Sequence, residues 1–309
     1  MFNKAGPTGD MPKRQISLFE IKRIVKLTIL GAVWRLTHKV PENLDDPKVT
    51  FLIPLIAKKR AQNWSVVEFL LAETLRSIRH QTNPNWHVII CGQDRPELPE
   101  DPRIVFEPFT RDIADSKRTD KWLKNKVLCK AWRKHFKSDG YLFMLDADDL
   151  VHPELVERII ASETKGVLML ARGYMANAHS GEVCDLTPID PATRKPKTKF
   201  FATCGSCAAI RVSPASGPFP ESIVHTYRRH YAPQKHFPKF GFRIDELNAP
   251  SAVYMVNHGD NMDWQQRYKA RNSFIRSNAL NFDERDQVLA DFNLETYFDR
   301  FQSVAKDTP

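Results

Sequence analysis

The run Tyr141-Leu142-Phe143-Met144-Leu145, followed directly by Asp146-Ala147-Asp148-Asp149, constrains this chain more than any other feature. Consecutive apolar and aromatic residues of this kind read as a strand buried on both faces, as in parallel sheets. Three carboxylates within four positions repel one another and need a cation or a helix N-terminus to offset their charge. In an open α/β sheet, ligands bind just beyond the carboxyl ends of the strands, which is where this cluster falls. An all-oxygen ligand set points to Mg²⁺ or Mn²⁺, ions that usually bridge to phosphate oxygens. A solvated acidic turn capping the helix after Pro153 is the alternative; it suits a lone Asp-Asp pair better than three carboxylates at a strand end.

The segments around this run alternate. Val49 to Ile56 reads as a buried strand. Ser65-Val66-Val67-Glu68 has the capping-box pattern, and the helix it starts carries Val67, Leu71, Leu75 and Ile78 on one face. Trp86 to Cys91 and Arg103 to Phe106 are further strands. A helix over Lys121 to Phe136 leads into the strand before the acidic cluster, and Pro153 stands at the first turn of the next helix. Such alternation is the signature of an α/β domain with a mostly parallel sheet flanked by helices. Beyond Gly166 the pattern gives a strand at Val167 to Leu170 and a hairpin around His179-Ser180-Gly181. A Pro- and Lys-rich loop over Pro188 to Lys199 precedes strands at Phe201 to Val212 and Ala252 to Val256, and helices follow from Trp264.

Three parts are expected: a basic amphipathic segment and linker over residues 1–47, the α/β domain over 48–263, and a helical extension over 264–309. In the first part, Phe19, Ile21, Ile24, Val25, Leu27, Ile29, Leu30, Val33, Trp34 and Leu36 recur at helical spacing among Lys22, Arg23, Lys26 and Arg35. Charges interrupt it too often for a bilayer span of roughly 20 apolar residues. It either lies in a membrane interface, basic residues on anionic headgroups, or packs against the main domain.

The net charge of +9 favours anionic partners such as nucleotide phosphates or acidic membrane surfaces, although most of it reads as a solvated surface. No aromatic-interleaved basic motif of the RNA-reading kind is present, so nucleic acid is not an expected partner. Five cysteines, odd in number and mostly isolated, and a polar N-terminus without a cleavable signal pattern fit a cytoplasmic setting, with peripheral contact on the inner face of the plasma membrane as an extension of that reading. Cys204-Gly205-Ser206-Cys207 has no second pair to complete a zinc site and reads as a tight turn.

Three stretches carry a resemblance. Thr74 to Ile90, with Ser77-Ile78-Arg79-His80-Gln81-Thr82 before its strand, is similar to the first helix and second strand of family 2 glycosyltransferases of the GT-A fold. Tyr141 to Pro153, with its Leu-Asp-Ala-Asp-Asp core and trailing His-Pro, resembles their metal-binding DxD segment. Ala252 to Asn261 looks like the later strand that ends in a His-containing loop. With gaps, the resemblance covers about Val49 to Asn261. It implies a GT-A sheet and metal-dependent, inverting transfer of a sugar from a nucleotide-sugar to an acceptor hydroxyl on a glycan or glycolipid, as in surface polysaccharide synthesis.

Position by position, the resemblance implies that Asp146 contacts ribose or metal and that Asp148 ligates the Mn²⁺ or Mg²⁺ holding the donor diphosphate. Asp149 assists through water or backbone. His258 matches the late histidine that reaches phosphates or metal, or is a loop histidine satisfied by backbone. Asp94 matches the acid that reads the nucleobase, with Gln93 standing where the family has a paired acid. Lys126 either pairs with diphosphate or base, or is a surface lysine. Gly205 and Ser206 fall in the small-residue loop under the donor sugar. The family's usual Glu-Asp base pair is missing, which leaves His225 first and Asp245 second as the catalytic base. Two rivals stand beside this reading: a haloacid-dehalogenase-like phosphohydrolase, whose Asp-x-Asp lies near the start of its domain, and a non-catalytic glycan-binding module.

Overall fold

The computed structural model describes residues 18–37, 41–111, 120–188, 190, 192–193, 198–216, 232–259 and 264–306. Its strands, in chain order, are β1 (Lys48–Pro54), β2 (Trp86–Gly92), β3 (Ile104–Pro108), β4 (Gly140–Met144), β5 (Leu150–Val151), β6 (Val167–Leu170), β7 (Tyr174–Asn177), β8 (Val183–Asp185), β9 (Ala208–Val212), β10 (Ile244–Leu247) and β11 (Ala252–Val256). The helices are α1 (Leu18–Thr37), α2 (Trp64–Arg79), α3 (Lys121–His135), α4 (Leu155–Ala161), α5 (Phe200–Thr203), α6 (Ala232–His236), α7 (Trp264–Ser277), α8 (Phe282–Phe292) and α9 (Leu294–Lys306).

The main sheet has seven strands in the order β10-β6-β9-β4-β1-β2-β3. All neighbours pair in parallel except β9, which runs antiparallel to both β4 and β6. The chain is therefore an α/β protein with a mostly parallel mixed sheet flanked by helices. Continuous apolar runs explain this placement: Val49, Phe51, Leu52 and Ile53 of β1 and Tyr141, Leu142 and Phe143 of β4 are all buried. Each such side chain contributes roughly 1.5–3 kcal/mol on burial. The strands β1, β2 and β3 march one way across the sheet, whereas β4 lies on the other side of β1. The carboxyl ends of β1 and β4 are thus a switch point of strand order, the preferred ligand position in open α/β sheets.

A second sheet, β5-β11-β7-β8, flanks the first. Helix α2 serves both layers. Val67, Leu71, Leu75 and Ile78 enter the main core as the periodicity predicts, while Val66, Phe69 and Leu70 join a second core with Tyr297 and Phe301 of α9. Buried Glu73 binds Arg76 and reaches Arg300 of α9 at 2.5 Å, tying the two helices together.

Local differences from the sequence reading have local causes. Helix α2 begins two residues earlier than the Ser65 capping box requires: Asn63, an equally good cap, accepts from the amides of Ser65 and Val66. Glu68 instead accepts from the amide of Glu97. The predicted strand over Phe201 to Val212 is split into α5, the Cys204–Cys207 loop and β9. The short strands β5 and β10 had no periodicity long enough to announce them. The predicted hairpin around His179 is present as β7 and β8, with Tyr174 opposite Asp185. All five cysteines are free and buried.

Helix α1 packs one face on the segment Phe237–Phe240, with Leu27 and Trp34 buried and Trp34 against Phe242. No described helix is long and apolar enough to cross a membrane.

Candidate functional site

Three loops converge at the carboxyl end of β4. The first is the acidic turn itself. The second is Cys204–Cys207, which arrives at the same end because β9 runs antiparallel, so that the loop before it meets the loop after β4. The third follows β11, which pairs antiparallel with β5 and so returns its end to the turn that precedes β5.

The three carboxylates of the turn do different work. Asp149 is fully buried. Its Oδ2 accepts from Ser206 Oγ at 2.5 Å and from the Cys204 thiol at 3.2 Å, and its Oδ1 accepts from the Met255 amide at 3.1 Å. Its own carbonyl accepts from buried Thr74 of α2. Burial, and then the charges of Asp148 and Asp146, push the Asp149 carboxyl well above the ordinary carboxylate range. Asp149 is thus a brace that fastens the turn to both sheets and α2.

Asp146 and Asp148 are partly exposed. Asp146 is ion-paired with Lys121 of α3, and its amide donates to Ser206 Oγ at 2.9 Å. Asp148 Oδ2 lies 2.8 Å from Nε2 of the buried His258. Burial pushes Asp148 up, but the hydrogen bond and charge of His258, with Lys121 behind them, outweigh it and hold the carboxyl below its usual value. Burial lowers the Lys121 ammonium, yet the charge and hydrogen bond of Asp146, with Asp148 and Asp149, leave it raised.

The ligand atoms of Asp146, Asp148 and Asp149 lie within 4.8 Å of one another, so this group can hold a metal ion. Asp146 and Asp148 are the open members, since both oxygens of Asp149 already accept hydrogen bonds. The imidazole of His258 stands at the same group, hydrogen-bonded to Asp148.

A second polar group sits at the neighbouring strand ends, one helical turn along α3. Buried Lys124 donates to the Leu55 carbonyl at 2.6 Å and pairs with Asp120 at 2.9 Å. Gln93 donates to the same Asp120 carboxylate at 2.8 Å. Asp94 accepts from the Lys58 amide at 2.7 Å, which ties the loop after β2 to the loop after β1.

Asp146, Asp148, His258, Gly205 and Ser206 therefore come together, and Asp94 lies on the adjoining strand-end rim. Lys126 does not join them: its ammonium lies 5.6 Å from the Trp122 ring, further round α3. Lys121 reaches the acidic turn and Lys124 the neighbouring strand ends, and the sequence reading missed both. Their i, i+3 and i+7 spacing with buried Leu128 was the available signal, because it places them on the core-facing stripe. Asp245 stands at the opposite end of the sheet. It opens β10 beside the amino end of β6, where Thr164 donates to it at 2.6 Å and Arg243 at 2.7 Å. His225 lies outside the described residues.

A scan against protein-family models and a search of curated proteins both find no match for this chain.

Proposed function

We propose that this chain is a metal-dependent glycosyltransferase of GT-A type, transferring a sugar from a nucleotide-sugar to an acceptor hydroxyl with inversion, on a glycan or glycolipid. The observation that carries the reading is the division of labour in the acidic turn. One carboxylate is buried as a brace, and two remain open at the β1/β4 switch point beside His258 and Lys121. A phosphohydrolase of the Asp-x-Asp kind needs an unencumbered nucleophilic carboxylate at the first strand of its domain. Here the turn follows the fourth of the described strands.

Asp146, Asp148 and His258 would hold Mn²⁺ or Mg²⁺, and that ion would offset the charge developing on the leaving diphosphate. Lys121 supplies a cation at the same place and would turn from Asp146 to a phosphate oxygen once a metal takes over the carboxylate. Gln93 and Asp94, partly exposed beyond β2 with Asp120 and Lys124 buried behind them, are suited to a nucleoside. Gly205 and Ser206, small residues in a loop pinned to Asp149, let a sugar lie against backbone. With Asp245 held by Thr164 and Arg243, His225 is the proposed base that takes the proton of the acceptor hydroxyl.

Release of nucleoside diphosphate from a panel of nucleotide-sugars, with Mn²⁺ and then with EDTA, tests the proposal. Metal-dependent release from one donor supports it. Phosphate release from simple phosphate esters, with none from any nucleotide-sugar, overturns it.

A further inference from the structure

The inference concerns α1, far from the acidic turn in sequence and independent of its chemistry. Among the described residues, the large apolar side chains that stand exposed are Ile24, Val25, Ile29, Val33, Leu36 and Phe282. All but Phe282 lie on this one helix. Val25, Ile29, Val33 and Leu36 follow one another at steps of four, four and three, so they form a single outward stripe. Leu36 is 87% exposed and Ile29 59%. The exposed lysines Lys22 and Lys26 lie along the same side.

The stripe cannot be relieved by rotating the helix, because the opposite face is locked. Leu27 and Trp34 are buried in the main core. Arg35 donates to the Lys239 carbonyl at 2.7 Å, and Lys239 donates back to Thr28 at 3.0 Å. At Gly31 the backbones approach so closely that a Cβ would stand 2.1 Å from the Lys239 carbonyl oxygen. The helix therefore presents its apolar stripe outward as a fixed feature of the fold.

We infer that α1 is a docking surface for an anionic lipid bilayer, lying in the plane of the interface with Val25, Ile29, Val33 and Leu36 among the acyl chains. Charge complementarity selects this occupant. Besides Arg35, which is held on the packed face, the helix sequence carries Lys22, Arg23 and Lys26 against the single acid Glu20, and the whole chain carries +9. An apolar stripe flanked by lysines, on a helix too charged to span, is the pattern of interfacial helices. Basic residues beside it add attraction to anionic headgroups.

The test is vesicle co-sedimentation of the full chain, with phosphatidylcholine alone and with phosphatidylcholine plus phosphatidylglycerol. Wild type is expected to pellet with the anionic vesicles, less so at high salt. The triple variant Val25→Asp, Ile29→Asp, Val33→Asp is expected to lose binding by roughly tenfold or more. Lys22→Glu with Lys26→Glu, a change at exposed positions that leaves the apolar packing intact, is expected to lose it by roughly tenfold as well. Unchanged sedimentation of both variants overturns the inference, as does wild type that ignores anionic vesicles. A wild-type dimer in solution that the triple variant converts to monomer, without vesicle binding by either, overturns it in favour of a second copy of this chain.

Discussion

Ser206 Oγ donates to Asp149 Oδ2 at 2.5 Å, and the same oxygen accepts from the Asp146 amide at 2.9 Å. One hydroxyl thus joins the loop before β9 to both ends of the acidic turn. Ser206→Ala would leave the buried Asp149 oxygen with the Cys204 thiol alone and the Asp146 amide without its acceptor. The expected cost is about 1–3 kcal/mol, since a buried polar group then lacks its partner. Urea unfolding of the two proteins measures it; equal midpoints would show that this hydroxyl does not hold the turn.

Lys121, ion-paired with Asp146, would compete with a metal ion for that carboxylate. Lys121→Met is therefore expected to raise Mn²⁺ affinity in the absence of nucleotide, by roughly twofold to fivefold for a partly exposed pair. The same change should weaken nucleoside diphosphate binding in the presence of Mn²⁺, because a phosphate partner is lost. Calorimetric titration of both ligands gives the two signs. A fall in metal affinity instead would mean that Lys121 orients Asp146 rather than competing for it.

His87 of β2 supplies a pH dependence away from the site. Its ring stacks on Phe136 at 3.9 Å, and its Nδ1 is buried without a hydrogen-bond partner. Burial, then the charges of Lys48 and Arg103, push its pKa down to about 4. The unfolded chain takes up this proton near pH 6.5, roughly the free value. Between those limits the unfolded state binds the proton and the folded state does not. The contribution is complete above about pH 6.5 and is lost as pH falls towards about 4. Discounted for the partial exposure of the ring, the loss is about 1–2 kcal/mol. Unfolding midpoints of wild type and His87→Gln at neutral and mildly acid pH isolate it: the variant should lose less stability on acidification, and parallel losses would refute the assignment.

The central strands of the main sheet, β1, β2 and β4, were legible because they are buried on both faces and so read as unbroken apolar runs. Tyr141 to Leu145 could be nothing else. The open members of the turn, Asp146 and Asp148, were legible for the same reason, since a strand end fixes where they lie. What escaped the reading depends on contacts between distant segments. Asp245 looked available as a base, but its partner Thr164 comes from the loop before β6, and only the parallel pairing of β10 with β6 brings them together. Lys126 and Lys124 differ by two positions, yet that rotates one away from the site and the other into the core. The membrane and packing readings of the first helix proved not to be exclusive: Leu27 and Trp34 face the core, while Val25 and Ile29 face out. The packing half is visible in the fold, and the membrane half rests on the vesicle experiment.

The central claim is that Asp148 and its neighbours bind a metal that holds a nucleoside diphosphate. Thermal stability of wild type and Asp148→Asn, measured with UDP, GDP, dTDP and CMP in Mn²⁺ and in EDTA, tests it most directly. Asparagine keeps the shape and the contact to His258 while removing the charge. The expected result is stabilisation of wild type by one nucleotide in Mn²⁺, absent in EDTA and absent in the variant. Stabilisation that survives EDTA or Asp148→Asn, or none with any nucleotide, would contradict the claim.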